Sequence, residues 1–379
     1  MIDLPEFRLE VFFSVWESHA KYNIAQSDAE TMTVAEVLSY GTDADREAFA
    51  NIRLSYPPAW GGEELRAAVA ATYDTVDAEH VLCFSGAEEA IFWGMEDLIA
   101  PGDHAIVTVP NYQSMESVAI ATGADVSAAV LDPGNHWAFD LEALRAQVRP
   151  NTRLIAANFP NNPTGATPDE ATFRALVELC DERGIQLFSD EVYRGLEVEG
   201  SMPALPQAAD ISPRALSLNV MSKAYGLSGL RIGWLACQNR DLLARLEKRK
   251  HFTSICNAGP SEHLAAIVLR SADKVRARNR AIISENLPLF RELFTERWGE
   301  LFEWEQPQGG CVSYPRYLGP EGAEAFCHKL LLDAGVCVLP PSIYQSALAE
   351  MPADRFRMGV GHRVSGAALE VFDDYLSRR

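Results

Sequence analysis

The chain has 379 residues, with 53 acidic against 33 basic side chains and a formal net charge of −20. Nucleic acid and anionic membranes both need a cationic surface, so this balance argues against either as a partner. No apolar run reaches the roughly 18 residues of a membrane span, and the opening Met1-Ile2-Asp3-Leu4-Pro5-Glu6-Phe7-Arg8 has neither a basic region nor a long apolar stretch, so it does not read as a signal peptide. The seven cysteines are odd in number and show no paired spacing. They fit free, mostly buried thiols in a reducing cytoplasm. The eight histidines hold no metal-ligand spacing, and no metal is expected.

A chain of this length is long for one core and suggests two lobes. In chain order, Val81 to Phe84 reads as a strand and Gly86–Ile99 as a helix. A strand ending in Val107-Thr-Val-Pro-Asn-Tyr112 follows, then a helix at Gln113–Thr122 and another at Leu141–Val148. The apolar run Leu154 to Phe159 reads as a buried strand, Glu170–Glu182 as a helix, and Ile185 to Tyr193 as a second strand. Arg240–Lys250 reads as a helix, and 259–300 as a long amphipathic stretch with Arg and Glu outward. Val312-Ser-Tyr314, Val336-Cys-Val-Leu339 and Phe356 to Val360 read as late strands. The alternation from about Ala50 to Arg270 predicts an α/β fold with a mixed, mostly parallel sheet wrapped by helices. The expected division is a large domain over 46–280 and a smaller α/β domain built from the arm 1–45 together with 281–379.

The segment Asn219 to Trp234, NVMSKAYGLSGLRIGW, carries the chemistry. It places the Lys223 amine after the Ser222 hydroxyl and eight residues before Arg231, among glycines at 226, 229 and 233. An amine, a hydroxyl and a guanidinium so placed suit a Schiff base beside a phosphate. Upstream, Asn161-Asn-Pro-Thr-Gly165 follows a strand, and Asn162-Pro163 is a candidate cis peptide because X-Pro bonds reach cis at low cost. Asp190 and Tyr193 close the next strand, and open α/β sheets bind ligands at such strand ends.

Asn162, Asp190, Tyr193, Lys223 and Arg231, in that order, resemble the pattern of the fold-type-I pyridoxal 5′-phosphate (PLP) enzymes of the class I/II aminotransferase family, over nearly the whole chain. The resemblance implies PLP held by Lys223 as an internal aldimine. It gives Asp190 the pyridine nitrogen, because a nearby carboxylate favours the protonated ring. Tyr193 and Asn162 fall to the ring oxygen, Tyr112 to the ring face, and Ser222 and Arg231 to the phosphate. The phosphate turn falls at Gly86, Ala87 and Glu88, where a helix begins. Glu88 departs from the small or amide side chain common there, and points either to solvent or to a cationic substrate. Val220 departs too, where many relatives carry a hydroxyl. Tyr56, in Tyr56-Pro-Pro-Ala-Trp60, resembles the tyrosine that reaches the phosphate of the neighbouring subunit, which implies a homodimer with shared sites. Arg357 takes the substrate-carboxylate arginine, with Arg355 the alternative register.

The implied activity is an amino-acid aminotransferase in the cytoplasm, moving an amino group between an amino acid and a 2-oxo acid. The arm from Val15 to Glu30 resembles that of PLP enzymes acting on arginine, including O₂-dependent oxidases and the capreomycidine synthase group; the same residues also suit a solvated helix covering a dimer. That leaves oxidation, desaturation or cyclisation of a basic amino acid as an alternative, with Glu17 as its substrate contact. A silent PLP-fold regulator is a third possibility, disfavoured by the retained Lys223, Asp190 and Arg231.

Overall fold

The computed structural model describes residues 3–379; Met1 and Ile2 of the opening segment lie outside the described residues. Seven strands form one sheet in the order Val81–Phe84, Gly233–Ala236, Ala215–Val220, Gln186–Asp190, Thr152–Asn158, His104–Val109, Asp125–Val130. All neighbours run parallel except Gly233–Ala236, which is antiparallel to both strands beside it. The interior strands are apolar on both faces, as parallel strands covered by helices must be. Alternate residues feed opposite cores: Leu154 and Ala156 pack on one side of the sheet, Ile155 and Ala157 on the other. This is the α/β, mostly parallel mixed sheet that the alternation predicts.

Helix limits follow local chemistry. The Glu170–Arg183 helix starts where the Asp169 side chain accepts from Thr172 N, and ends on Gly184 at φ +66°. The 259–300 stretch differs from its reading as one amphipathic element. It divides into Gly259–Leu269 and Ala272–Arg291. Leu264 to Leu269 are buried without a break, because that helix packs against both the Glu63–Ala70 and Val34–Ser39 helices. No helix among the described residues is long and apolar enough to cross a membrane.

The arm opens with a helix over Arg8–Trp16 and continues as the short strand Tyr22–Asn23, parallel to Val336–Cys337. Beyond it the backbone threads between two late segments: Ile24 N donates to Cys337 O at 3.2 Å, and Gly359 N donates to Ile24 O at 2.6 Å. Residues near the start and the end of the chain thus meet at the carboxyl edge of the sheet.

One glycine is fixed by space. Gly233 pairs with Phe84, and a Cβ there would stand 2.7 Å from Gly86 C and 2.8 Å from Ala87 N, both backbone atoms. Gly233→Ala is expected to cost about 1–3 kcal/mol through overpacking. Gly229→Ala, where a Cβ meets nothing within 4 Å, is the control. Urea unfolding midpoints compare the two; equal midpoints would remove the steric argument.

Candidate active site

Asp190 ends its strand directly across from Asn158. It is 4% exposed, and its side chain accepts from Val192 N at 3.2 Å. Asn158 braces the edge: Nδ2 donates to the Asp190 backbone oxygen at 3.2 Å, and Oδ1 accepts from Asn162 N at 2.8 Å. Burial pushes the Asp190 carboxyl up to about 7. No arginine, lysine or histidine forms a salt bridge with it among the described residues. A buried carboxylate in this state suits a ligand that brings its own positive N–H.

Lys223 follows the neighbouring strand and reaches the same cavity. Its Nζ donates to Ser27 Oγ at 2.7 Å. Burial lowers the amine's pKa, against the pull of Asp28 and, further off, Asp190. Tyr193 is buried, and its hydroxyl donates to the Ser27 carbonyl at 2.9 Å. The cavity of about 230 Å³ is also lined by Ala87, Glu88, Tyr112, Asn162, Ser222, Ser228 and Arg231.

One end of the cavity is built for an anion. Gly86 at φ +91° caps the helix that starts at Ala87, so the helix's first amides open there. Arg231 sits in the left-handed region at φ +52°, which bulky residues seldom adopt. Its guanidinium lies so near Gly86 that a Cβ there would be 2.3 Å from Nη2. It donates to Ser228 O at 3.1 Å and forms no salt bridge among the described residues. A phosphate fits this cradle. Val220 also lines the cavity, and supplies no hydroxyl.

A second guanidinium without an acidic partner belongs to Arg357, 1% exposed. Its Nη1 donates to Asn162 Oδ1 at 3.2 Å and to the Tyr344 hydroxyl, and Nη2 donates to Ala25 O. Its Nε is buried without a partner, and no carboxylate pairs with it. Arg355 lies elsewhere, with its guanidinium 5.0 Å over the Trp137 ring. Asn162, expected at a ring oxygen, here orders Arg357 and Tyr344, the latter donating at 3.1 Å; its peptide to Pro163 is cis, as the sequence suggests.

Two expectations meet different surroundings. Glu88 is not turned to solvent. It faces the cavity, its Oε2 has no hydrogen-bond partner among the described residues, and burial raises its carboxyl pKa, with Glu10 adding to the rise. Glu17 is exposed and accepts from Asn23 Nδ2 at 3.2 Å, outside the cavity. The arm acid that lines the cavity is Glu10. The cause is helix phase: Leu9 and Phe12 are the arm helix's buried residues, and that helix ends at Trp16, before Glu17. Tyr56 also lies outside the cavity, 87% exposed.

An amine and a carboxylate at the ends of adjacent parallel strands, with an anion cradle at a helix start beside them, define a fold-type-I PLP enzyme. The chain belongs to the aminotransferase class I and II family, whose model matches residues 21–368, and its cofactor is PLP. It is 30% identical to capreomycidine synthase of Streptomyces vinaceus over 94% of this chain and 89% of that protein. Over 163 residues, 42% of this chain and 41% of that protein, it is 39% identical to an arginine–pyruvate transaminase of Pseudomonas aeruginosa. A PLP-dependent aminotransferase from Streptococcus suis superposes with a TM-score of 0.91 at 29% identity, covering 99% of this chain and 98% of that one.

The raised Asp190 pKa gives a stability test. The folded value near 7 lies above the ordinary carboxylate range near 3.8, so without cofactor this group's contribution is lost as pH rises from about 4 to 7, and the penalty is complete above that. Asp190→Asn removes the penalty. In cofactor-free protein the variant should gain more in melting temperature over wild type at pH 8 than at pH 5. A pH-independent difference would contradict the assigned ionisation.

Proposed function

We propose that the protein is an amino-acid aminotransferase, exchanging an amino group between an amino acid and a 2-oxo acid. The observation that carries this reading is Arg357, a buried guanidinium without an acidic partner among the described residues, whose Nη1 donates to Asn162, a residue that lines the cavity. Its planar fork suits an α-carboxylate held in two hydrogen bonds. PLP, when bound, supplies the electron sink that stabilises charge at the substrate Cα. The chain's own groups do the rest. Asp190 keeps the ring nitrogen protonated, Gly86, Ala87, Ser222 and Arg231 hold the phosphate, and Tyr112 flanks the ring. Lys223 Nζ takes the proton from the substrate Cα and returns it. A silent regulator would have no use for these groups gathered in one cavity.

A second reading concerns the substrate: a basic amino acid, arginine first, with transamination, oxidation, desaturation or cyclisation as its fate. Glu10 and Glu88 support it. Burial and the nearby Glu10 charge disfavour the ionised Glu88 carboxylate, and a cation between the two would offset this. A guanidinium would satisfy both, each charge-assisted hydrogen bond contributing about 1.5–3 kcal/mol. The relatives that bear arginine or capreomycidine in their names agree with this choice. Glu10 and Glu88 take the role first assigned to Glu17.

We also propose a cytoplasmic homodimer, with residues 46–280 as the cofactor domain and 1–45 with 281–379 as the smaller one. Leu54, Tyr56 and Phe252 are each at least 86% exposed, and Ile255 is 52% exposed. Pro57 and Ile52 lie near Gly259, so the segments bearing these side chains adjoin. A second copy would cover them and carry Tyr56 to its own phosphate site.

Two measurements test these readings. Absorbance titration of the PLP-loaded enzyme with arginine, leucine and aspartate should give the tightest response with arginine. Glu88→Gln should weaken arginine by roughly tenfold or more and leave leucine within a few-fold. A response to leucine or aspartate but none to arginine would end the basic-substrate reading. For the dimer, neither Lys223→Ala nor Tyr56→Phe homodimers should approach wild-type turnover, while mixed chains should regain one intact site. Mixed dimers without recovery would count against Tyr56 crossing the interface.

A further inference from the structure

The arm segment Ser27–Glu30 meets Lys223 in a way that the roles above leave unused. Its backbone is pressed between two glycines. A Cβ at Gly226, which has φ +69°, would stand 2.5 Å from Glu30 O, and one at Gly361 would stand 2.5 Å from Asp28 O. Ala29 N donates to Lys223 O at 3.2 Å, and Glu30 N donates to Gly361 O at 2.9 Å. The Tyr193 hydroxyl holds the Ser27 carbonyl at 2.9 Å. The segment is thus fixed from four directions, and its side chains have defined places.

Ser27 Oγ accepts from Lys223 Nζ at 2.7 Å. Beside it, Asp28 Oδ1 accepts from His362 Nε2 at 3.0 Å, and His362 Nδ1 lies 3.6 Å from Glu30 Oε2. The charged and titratable groups around Lys223 are Asp28 from the arm, Asp190 from the strand end, and Arg357 and Cys311 from the late segments. Those around Asp28 are Lys223, His362 and Cys311. Among the neighbours of the amine, Asp28 exerts the largest attraction, ahead of Asp190.

We propose that Ser27 and Asp28, with His362 behind them, are positioning residues that hold the Lys223 amine and set its proton occupancy. A lysine stem has four rotatable bonds, so an amine that must leave one partner and return to another needs a fixed resting place. The Ser27 hydroxyl supplies that place. The Asp28 carboxylate supplies the charge that favours the protonated amine in a site where burial disfavours it. Burial would raise the Asp28 carboxyl itself, yet the hydrogen bond from His362 and the nearby amine outweigh burial and keep it below its ordinary value. The proton accepted from the substrate Cα therefore rests on Nζ, with Ser27 as acceptor and Asp28 as counter-charge, until it is returned. The proposal rests on Lys223 as the cofactor-bearing residue.

The test needs no turnover. In cofactor-stripped protein, the pH dependence of Lys223 acetylation by acetic anhydride, read by peptide mass spectrometry, gives the midpoint at which the amine loses its proton. Asp28→Asn should move that midpoint down by about one pH unit, the lower end of what a nearby opposite charge contributes. Ser27→Ala should also move it down, Ser27→Thr should restore it, and His362→Gln should move it less than Asp28→Asn. An unchanged midpoint in folded Asp28→Asn overturns the proposal; if that variant does not fold, unchanged midpoints in both Ser27→Ala and His362→Gln overturn it. Borohydride trapping of PLP on wild-type Lys223 is read separately. Failure to trap there would sink the cofactor assignment, while the midpoint comparison stands without it.

Discussion

A carboxylate buried without a salt bridge is the constraint on which the site turns. Asp190 lies at the end of a central strand, 4% exposed, and among the described residues no lysine, arginine or histidine forms a salt bridge with it, although Lys223 shares its cavity. The fold tolerates this because a charged ligand completes the site. Two positive groups stand in the converse condition: Arg231, which lines the same cavity, and Arg357 have no acidic partner among the described residues. The proposed roles match these charges one for one: Asp190 to a ring nitrogen, Arg231 to a phosphate and Arg357 to a carboxylate. Such a site binds by supplying what each charge lost on leaving water.

The sheet explains why these groups converge. Parallel strands place all their carboxyl ends on one edge, so Asn158, Asp190 and the segment after Val220 share it without any close spacing in the sequence. The antiparallel insertion of Gly233–Ala236 then brings Arg231 back beside Gly86. Four backbone pairs join these two segments, about 150 residues apart in the chain.

Much of this was legible before any coordinates. Apolar runs located four of the seven sheet strands to within a few residues; Asp125–Val130, Ala215–Val220 and Gly233–Ala236 were not read as strands. Lys223, Asp190 and Arg231 stood out because their motifs combine a reactive group with glycine-bounded turns. What sequence reading missed depends on tertiary approach. Nothing local distinguishes Glu10 from Glu17; only the placing of the arm helix against the body selects Glu10. Tyr344 lies in a short turn with no motif, and it matters because Arg357 reaches it. Asn158 could have been found, as its strand ends level with Asp190. Ser27 and His362 carry no such signal, being 335 positions apart and joined only through Asp28.

The threading of the arm has a consequence for how the molecule is made. Ser27 leaves the ribosome about 330 residues ahead of Arg357 and His362. The sheet and the phosphate cradle can assemble once the chain has passed Ala236 and cleared the exit tunnel. The surroundings of Arg357 cannot, because Ala25 has no Arg357 to meet and Asp28 no His362 until those residues have been made. The two sides of the anion cradle are thus made well ahead of the segments around Arg357 and His362, and Lys223 stays without its full setting until His362 has been made.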